Sequence, residues 1–421
     1  MKSTKDIPKG YKQSPVGLIP KDWEVKRLGE IGSFSKGYGV PKNKMISEGY
    51  PCLTYGDLYT KYDYLIENIH SYIDKKTASE SKAINKGDIL FAGSGETPED
   101  IGKCATYLGK ETIFAGGDII ILTPTKDYNS FVLSYILNSD IGGKQRYKYA
   151  QGHSVVHIYP DTLKKIQIPI PPLAEQQKIA EILSSWDKAI ELQTSIIDKL
   201  TLRKKGLMQQ LLTGKKRLKG FTEPWNKIRL GAIGKTYNGL AGITKDDFEE
   251  GSDKYIPYIN IYMNGVVNTS ELGSVRINSR QNTVAYGDIL FTTSSETPNE
   301  VGFSSVLLNE VDNLYLNSFC FGYRLINFNS LIPQYAAYYF RSNIFRKKMY
   351  KLAQGSTRFN ISKEEVMKLM VELPPEQEQS AIADVLSTTD KTIQKEKQKL
   401  EALKQQKKGL MQQLLTGKRR V

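Results

Sequence analysis

The chain has 421 residues, with 59 basic against 45 acidic side chains, a formal net charge of +14, 39% hydrophobic residues and three cysteines. At roughly 100 to 200 residues per domain this length predicts two to four domains, and the even mixture of apolar and charged residues excludes a disordered tail. Apolar runs are of strand length, the opening MKSTKDIPKG lacks an apolar signal region, and Cys52, Cys104 and Cys320 stand outside any CxxC spacing; a soluble cytoplasmic protein with free thiols is expected, neither secreted nor membrane-spanning.

In chain order, residues 1–20 form an N-terminal arm of charge +3. Residues 21–172 hold short β-like segments, GDILF at 87–91 and DIIIL at 118–122, with a helical stretch at 131–137; this is the pattern of an α+β globular domain. A long helix is predicted over 173–213. Pro171 and Pro172 start it, Gly214 stops it, and Ile179, Leu183, Ile190, Ile197, Leu200, Leu207 and Leu211 form one apolar stripe. About 40 residues at 1.5 Å each make a rod of roughly 60 Å, too long to be covered by a domain of this size. The segment GKKRLKG (214–220) is a linker of charge +4.

From there the sequence repeats itself. KGLMQQLLTGKKR (205–217) recurs as KGLMQQLLTGKRR (408–420), identical at 12 of 13 positions and displaced by 203. PPLAEQQKIAEILSSWDKAI (171–190) aligns with PPEQEQSAIADVLSTTDKTI (374–393) at the same offset, as does AQG (150–152) with AQG (353–355). GDILFAGSGETPEDIG (87–102) matches GDILFTTSSETPNEVG (287–302) at 200, and the W(x)4LGxIG segment at 23–32 matches 225–234 at 202. Residues 221–375 are therefore a second globular domain, with a helical stretch at 332–350. Residues 376–416 are a second long helix striped by Ile382, Leu386, Ile393, Leu400, Leu403, Leu410 and Leu414, and 417–421 a basic tail. Two stripes of matching phase are expected to be buried against each other in antiparallel, and two copies of one unit present two related surfaces to a partner.

The long helices are near neutral, which excludes basic-zipper DNA reading and suits protein contact. Inside the domains the charges are segregated. Residues 313–363 carry eight basic side chains and no acid, and residues 141–160 carry three and no acid. The candidates for nucleic-acid contact are Lys144, Arg146, Lys148 and Gln151 in the first copy. In the second they are Arg341, Arg346, Lys347, Lys348, Lys351, Gln354, Arg358 and Asn360. Cations supply phosphate affinity, and Arg, Asn and Gln forks read base edges. A solvated helix face is the alternative for such a run.

No active site is legible. Gly93-Ser94-Gly95 lacks the third glycine of a phosphate loop, and the second copy has Thr293-Ser294-Ser295 instead. The SxETP segments (94–98 and 294–298) supply the acid pairs Glu96 with Asp100 and Glu296 with Glu300, which suit fixing a turn better than proton transfer. His153 and His157 have helical metal spacing but no HExxH and no cysteine or acidic cluster around them. No catalytic residue, metal or cofactor is assigned to this chain.

The PPxxEQxxIAxxLSxxD stretch and the LMQQLLTGK helix ends, each present twice, resemble the specificity subunits of type I restriction-modification systems, over essentially the whole chain. The resemblance implies two tandem α+β target recognition domains, each followed by a spacer helix, the helices pairing as an antiparallel coiled coil with pseudo-twofold symmetry. It implies a non-catalytic subunit in which each domain reads one half of a bipartite double-stranded DNA target. The helices then set the gap and dock two methyltransferase (M) subunits carrying S-adenosylmethionine and the adenine-methylating chemistry. Motor-nuclease (R) subunits join in the full restriction complex. A coiled-coil scaffold, or the DNA-specificity subunit of a related methylation-based defence system, are the alternatives.

Overall fold

The computed structural model describes residues 7–97, 101–152 and 155–421. It divides into two compact units, one made of residues 1–193 together with 399–421, the other of residues 194–398. The division cuts both long helices, because the end of each helix packs with the globular domain that precedes the other.

In the first unit a five-stranded sheet runs in the order Gly32–Lys36, Ile119–Pro124, Ile89–Ala92, Cys104–Tyr107, Leu65–Ile66. The GDILF strand is central and buried at all four positions. Because side chains alternate across a strand, Ile89 and Phe91 enter a core with the long helices, whereas Leu90 and Ala92 enter a second core against another sheet. That sheet contains Tyr50–Leu53, Ile113–Ala115 and Lys82–Ile84. Helices Ser130–Asn138 and Asp140–Lys148 cover the first face. The second of them had no sequence signal, since Gly142 and Gly143 lie inside it. The N-terminal arm forms a hairpin, Tyr11–Ser14 with Gly17–Pro20.

The second unit repeats this plan with fewer strands. Its main sheet runs Gly234–Asn238, Cys320–Leu325, Ile289–Thr292, Ser304–Val306. Ile289 and Phe291 again face the helical core and Leu290 the second sheet, made of Gly273–Val275, Phe248–Ile256 and Leu314–Leu316. Helices Pro333–Tyr339 and Asn343–Leu352 take the covering positions.

The long helices are Leu173–Leu211 and Glu376–Leu414, 39 residues each. Both end at a glycine in the left-handed region, Gly214 at φ +68° and Gly417 at φ +69°. At each end the chain folds back onto the last turn, Lys216 N–H donating to the Gln210 carbonyl (3.2 Å) and Arg419 N–H to that of Gln413 (3.1 Å). The helices run antiparallel within each unit. In the first, Glu175 and Asp187 meet Arg420 and Lys407; in the second, Glu378 and Asp390 meet Arg217 and Lys204.

These contacts explain the duplicated PPxxEQxxIAxxLSxxD segment. Glu175 accepts from Trp23 Nε1 (2.9 Å) and from Arg420 (2.7 Å); Glu378 accepts from Trp225 Nε1 (3.1 Å) and Arg217 (2.5 Å). Gln176 and Gln379 reach across to the backbone N–H of Asn129 (2.8 Å) and Ile332 (3.0 Å), the entries to the covering helices. Asp187 accepts from Lys407 and from the Tyr135 hydroxyl, and the second unit repeats this with Asp390, Lys204 and Tyr338. Burial and the Asp187 carboxylate push the Tyr135 phenol far above its usual value. Of the striped residues, Ile179 and Leu183 join the first domain's core with Leu410, Met411 and Leu414, and Ile382 and Leu386 join the second with Leu207, Met208 and Leu211. The stripe ends are thus shared between the opposing helix and a sheet. Ile197 and Ile393 are also buried, while Ile190, Leu200, Leu400 and Leu403 are half-buried.

Candidate nucleic-acid interface

In each unit the basic covering helix runs into the AQG segment, which folds into a tight hairpin. Gln151 pairs with His157 through two backbone hydrogen bonds (3.0 and 2.7 Å), and Gln354 with Asn360 likewise (3.0 and 2.8 Å). The glycine is required. Gly152 and Gly355 sit at φ +118° and +132°, and a Cβ there would lie 2.1 Å from the carbonyl oxygen of Val155 or Arg358. The returning strand pairs with the first residues of the SxETP segment, Val156–His157 with Ser94–Gly95 and Phe359–Asn360 with Ser294–Ser295. Helix, hairpin and loop therefore converge in both units. In the first, the Ser94 hydroxyl lies 3.0 Å from His157 Nδ1. His153 and Asp100, named in the sequence reading, lie outside the described residues.

The candidate cations separate into two groups. Lys144 and Lys148 are exposed on one helix, Lys347 and Lys351 on the other, each pair one turn apart. Lys148 lies 5.9 Å over the Tyr149 ring. Gln151, Gln354, Arg358 and Asn360 are exposed on the hairpins. Lys348 instead turns back and donates to the Met370 carbonyl.

The other three arginines face inward, in place of the open nucleic-acid-facing position the basic run suggested. Arg146 is 6% exposed and donates to the carbonyls of Ile101 (3.1 Å) and Leu137. Arg346 holds the carbonyls of Gly302 (2.6 Å), Val301 (2.6 Å) and Asn299 (2.9 Å). Arg341 holds those of Ser304 (2.7 Å), Ile261 (2.6 Å) and Tyr262 (2.7 Å). Arg341 and Arg346 lie over the Phe303 ring at 5.1 and 4.4 Å, and burial lowers both guanidinium pKa values to about 10. A buried guanidinium needs its donors matched, and turn carbonyls match them here. Arg146 and Arg346 pin equivalent turns just after the SxETP segment, so they position the loop that the exposed residues surround. Sequence alone conceals this, because all but one of the partners are backbone atoms at least 37 residues away.

A cavity of about 360 Å³ opens beside the second hairpin, lined among others by Tyr258, Tyr262, Glu296, Glu300, Phe319 and Arg358. Tyr258 donates to the Ser294 carbonyl (2.8 Å) and stacks with Tyr262 at 6.2 Å. Hydrogen bonds from Thr297 and Tyr262 hold the Glu300 carboxyl below its usual range. The tyrosines and Phe319 were not singled out in the sequence; the recurrence of tyrosine at 55 and 258, displaced by 203, was the available signal. In the first unit a cavity of about 550 Å³ is lined by Asp63, Tyr64, Lys103, Lys144, Arg146 and Tyr147, among others. Among the described residues no cluster of three or more His, Cys, Asp or Glu could hold a metal ion, and no helix is long and apolar enough to cross a membrane.

The Type I restriction modification DNA specificity domain matches residues 20–202 and again 222–405. The chain is 29% identical to a protein described as the MjaX specificity subunit of a type I restriction enzyme in Methanocaldococcus jannaschii, covering 98% of this chain and 97% of that one. It is 27% identical to the MjaVIII specificity subunit of the same organism, over 96% and 94% of the two chains. A chain from a solved structure of the type I restriction-modification system shares the fold at a TM-score of 0.62 and 16% identity, over 95% of this chain and 99% of that one.

Proposed function

The chain belongs to the type I restriction-modification DNA specificity family and is a specificity subunit of that kind rather than an enzyme, and we propose that each of its two units reads one half of a bipartite DNA target. The carrying observation is the repetition of one exposed frame, a lysine-faced helix, an AQG hairpin and an SxETP loop, in both units. Lys144, Lys148, Lys347 and Lys351 contact phosphates, which supplies affinity without sequence preference. Gln151, Gln354, Arg358 and Asn360 stand at the hairpins where base edges are read. Arg146, Arg341 and Arg346 hold the loops in shape.

The long helices set the gap between half-sites. Two methyltransferase subunits dock on them and bring S-adenosylmethionine and the adenine-methylating chemistry, and motor-nuclease subunits complete the restriction assembly in the cytoplasm. This chain supplies recognition and spacing alone.

The test is co-expression with the methyltransferase partner and mapping of methylated adenines. The expected product is one motif of two short sequences separated by a fixed gap, with neither methylation nor cleavage by the chain alone. A continuous, ungapped motif, or methyl transfer by the isolated chain, overturns the reading.

A further inference from the structure

Among the described residues, two charged heads at the second hairpin have no hydrogen-bond or ion-pair partner. Glu296 is exposed on the loop after Ser294–Ser295, and neither a hydrogen bond nor an ion pair engages its carboxylate among the described residues. Arg358 is exposed on the hairpin, its guanidinium 5.8 Å over the Phe319 ring, and its charge is likewise unpaired. Both line the cavity of about 360 Å³ without pairing to each other. Their neighbours are already committed: Glu300 accepts from Ser295 (3.4 Å), and Tyr258 donates to a backbone carbonyl. The frame beneath is held, because Arg346 grips the turn just beyond Glu296 and the hairpin is pinned at Gly355. A ring beneath a guanidinium orients its planar fork before any ligand arrives.

The first unit has the same frame with different contents. Glu96 recurs at the position of Glu296 and is exposed. Arg358, however, is replaced at the equivalent offset of 203 by Val155, 52% exposed, and Phe319 by Asp118, whose carbonyl accepts from Gly93 N–H (2.7 Å) as that of Phe319 does from Thr293 N–H (2.9 Å).

Resting on the two-half reading above, we infer that Arg358 and Glu296 together read one G·C base pair of the second half-site from the major groove, and that Val155 with Glu96 reads an A·T pair at the equivalent place in the first. A guanine presents two acceptors, O6 and N7, to an arginine fork, and its cytosine presents the N4 amino donor to a carboxylate. A free carboxylate is otherwise repelled by phosphates, so it belongs opposite a base amino group. Valine matches the thymine methyl, and Glu96 then takes the adenine N6 amino group.

The experiment uses the full chain with its methyltransferase partner and a DNA library randomised across both half-sites, read out by methylation. Arg358→Val and Glu296→Gln are each expected to relax the same base pair of the second half-site, on the order of tenfold or more in discrimination, leaving the first half-site unchanged. Val155→Arg should move preference at the matching pair of the first half-site toward G·C. All three positions are exposed, and unchanged thermal melting of the variants separates reading from folding. Relaxation of different positions by Arg358→Val and Glu296→Gln, or a uniform loss across all sequences, refutes the inference while leaving the bipartite reading intact. A wild-type complex that methylates no bipartite motif refutes the bipartite reading itself, and the inference with it.

Discussion

Lys407 and Lys204 occupy equivalent places, yet their replacement by alanine should have unequal effects. The Lys407 side chain is 8% exposed and pairs with Asp187 at 31%, while Lys204 is 25% exposed and pairs with Asp390 at 39%. Lys407 also donates to the Tyr135 hydroxyl (2.9 Å) and lies 4.8 Å over the rings of both Tyr64 and Tyr135, which are stacked at 4.2 Å. The second unit has Gly265 where the first has Tyr64, the two carbonyls accepting from the equivalent N–H groups of Val306 (3.0 Å) and Thr106 (2.9 Å), so Lys204 contacts the single ring of Tyr338 at 5.6 Å. Removing one partner of a buried pair costs about 3 to 5 kcal/mol, and partial access of water to Asp187 puts Lys407→Ala at about 3 kcal/mol. An open pair such as Lys204 with Asp390 is worth about 1 kcal/mol or less. In units of about 200 residues a change of 1 kcal/mol moves Tm by roughly 2 to 4 °C. Calorimetry of the full chain should show Lys407→Ala lowering Tm by roughly 6 to 12 °C and Lys204→Ala by about 4 °C at most. Lys407→Met, which keeps the aliphatic stem, should recover little, because Asp187 still loses its cation. Equal losses from the two alanine variants, or a Lys407→Met protein that melts like the wild type, would refute the assignment of stability to this ion pair.

Arg346→Ala should lower stability by about 3 kcal/mol, since three turn carbonyls lose their donor; denaturant titration measures it, and an effect below 1 kcal/mol would mean that water substitutes freely. Neutralising Lys347 and Lys351 should reduce the slope of log affinity against log salt by roughly one unit per contact without changing base preference, whereas Lys348→Ala, whose ammonium is turned onto Met370, should change it little. The thiols of Cys52, Cys104 and Cys320 are buried, and burial raises the first two to about 11 and 12; a thiol reagent at neutral pH should titrate none of them until the chain unfolds. Inserting one heptad into both long helices should widen the gap between half-sites by about 10 Å, or roughly 3 base pairs, with the half-site sequences intact; methylation at the original spacing alone would refute the helices as the ruler.

Comparison of the sequence with itself made the architecture legible. Positions 203 apart mark Glu175 and Glu378, Asp187 and Asp390, Lys204 and Lys407, and Arg217 and Arg420, and the structure brings each acid to a base on the other helix or in the basic segment just beyond its end. Apolar periodicity and proline and glycine boundaries were sufficient for the helices because a 3.6-residue repeat is a local property. The interior of the candidate interface was not legible in the same way. Charge counting treats Arg146 and Lys148 alike, although two residues along one helix turn the first into the core and leave the second in water. Burial of a cation depends on distant carbonyls, and no local pattern records them. Phe319, and the placement of Glu296 beside Arg358 rather than in a turn alone, were obscure for a related reason: they come from different loops, and only strand pairing puts them beside Arg358.

Met411, Leu414 and Leu415 complete the same core as Ile89 and Phe91, and this places a constraint on synthesis. The unit of residues 194–398 is continuous, so a ribosome releases all its parts in one stretch. Residues up to 193 of the other unit are made earlier yet wait for residues 399–421 to emerge, its helical core unclosed while more than 200 further residues are made. Non-local closure of this kind is slow and leaves apolar surface uncovered meanwhile. Translation that halts in the second long helix beyond residue 398 would thus release one finished unit and one that a chaperone or protease must handle.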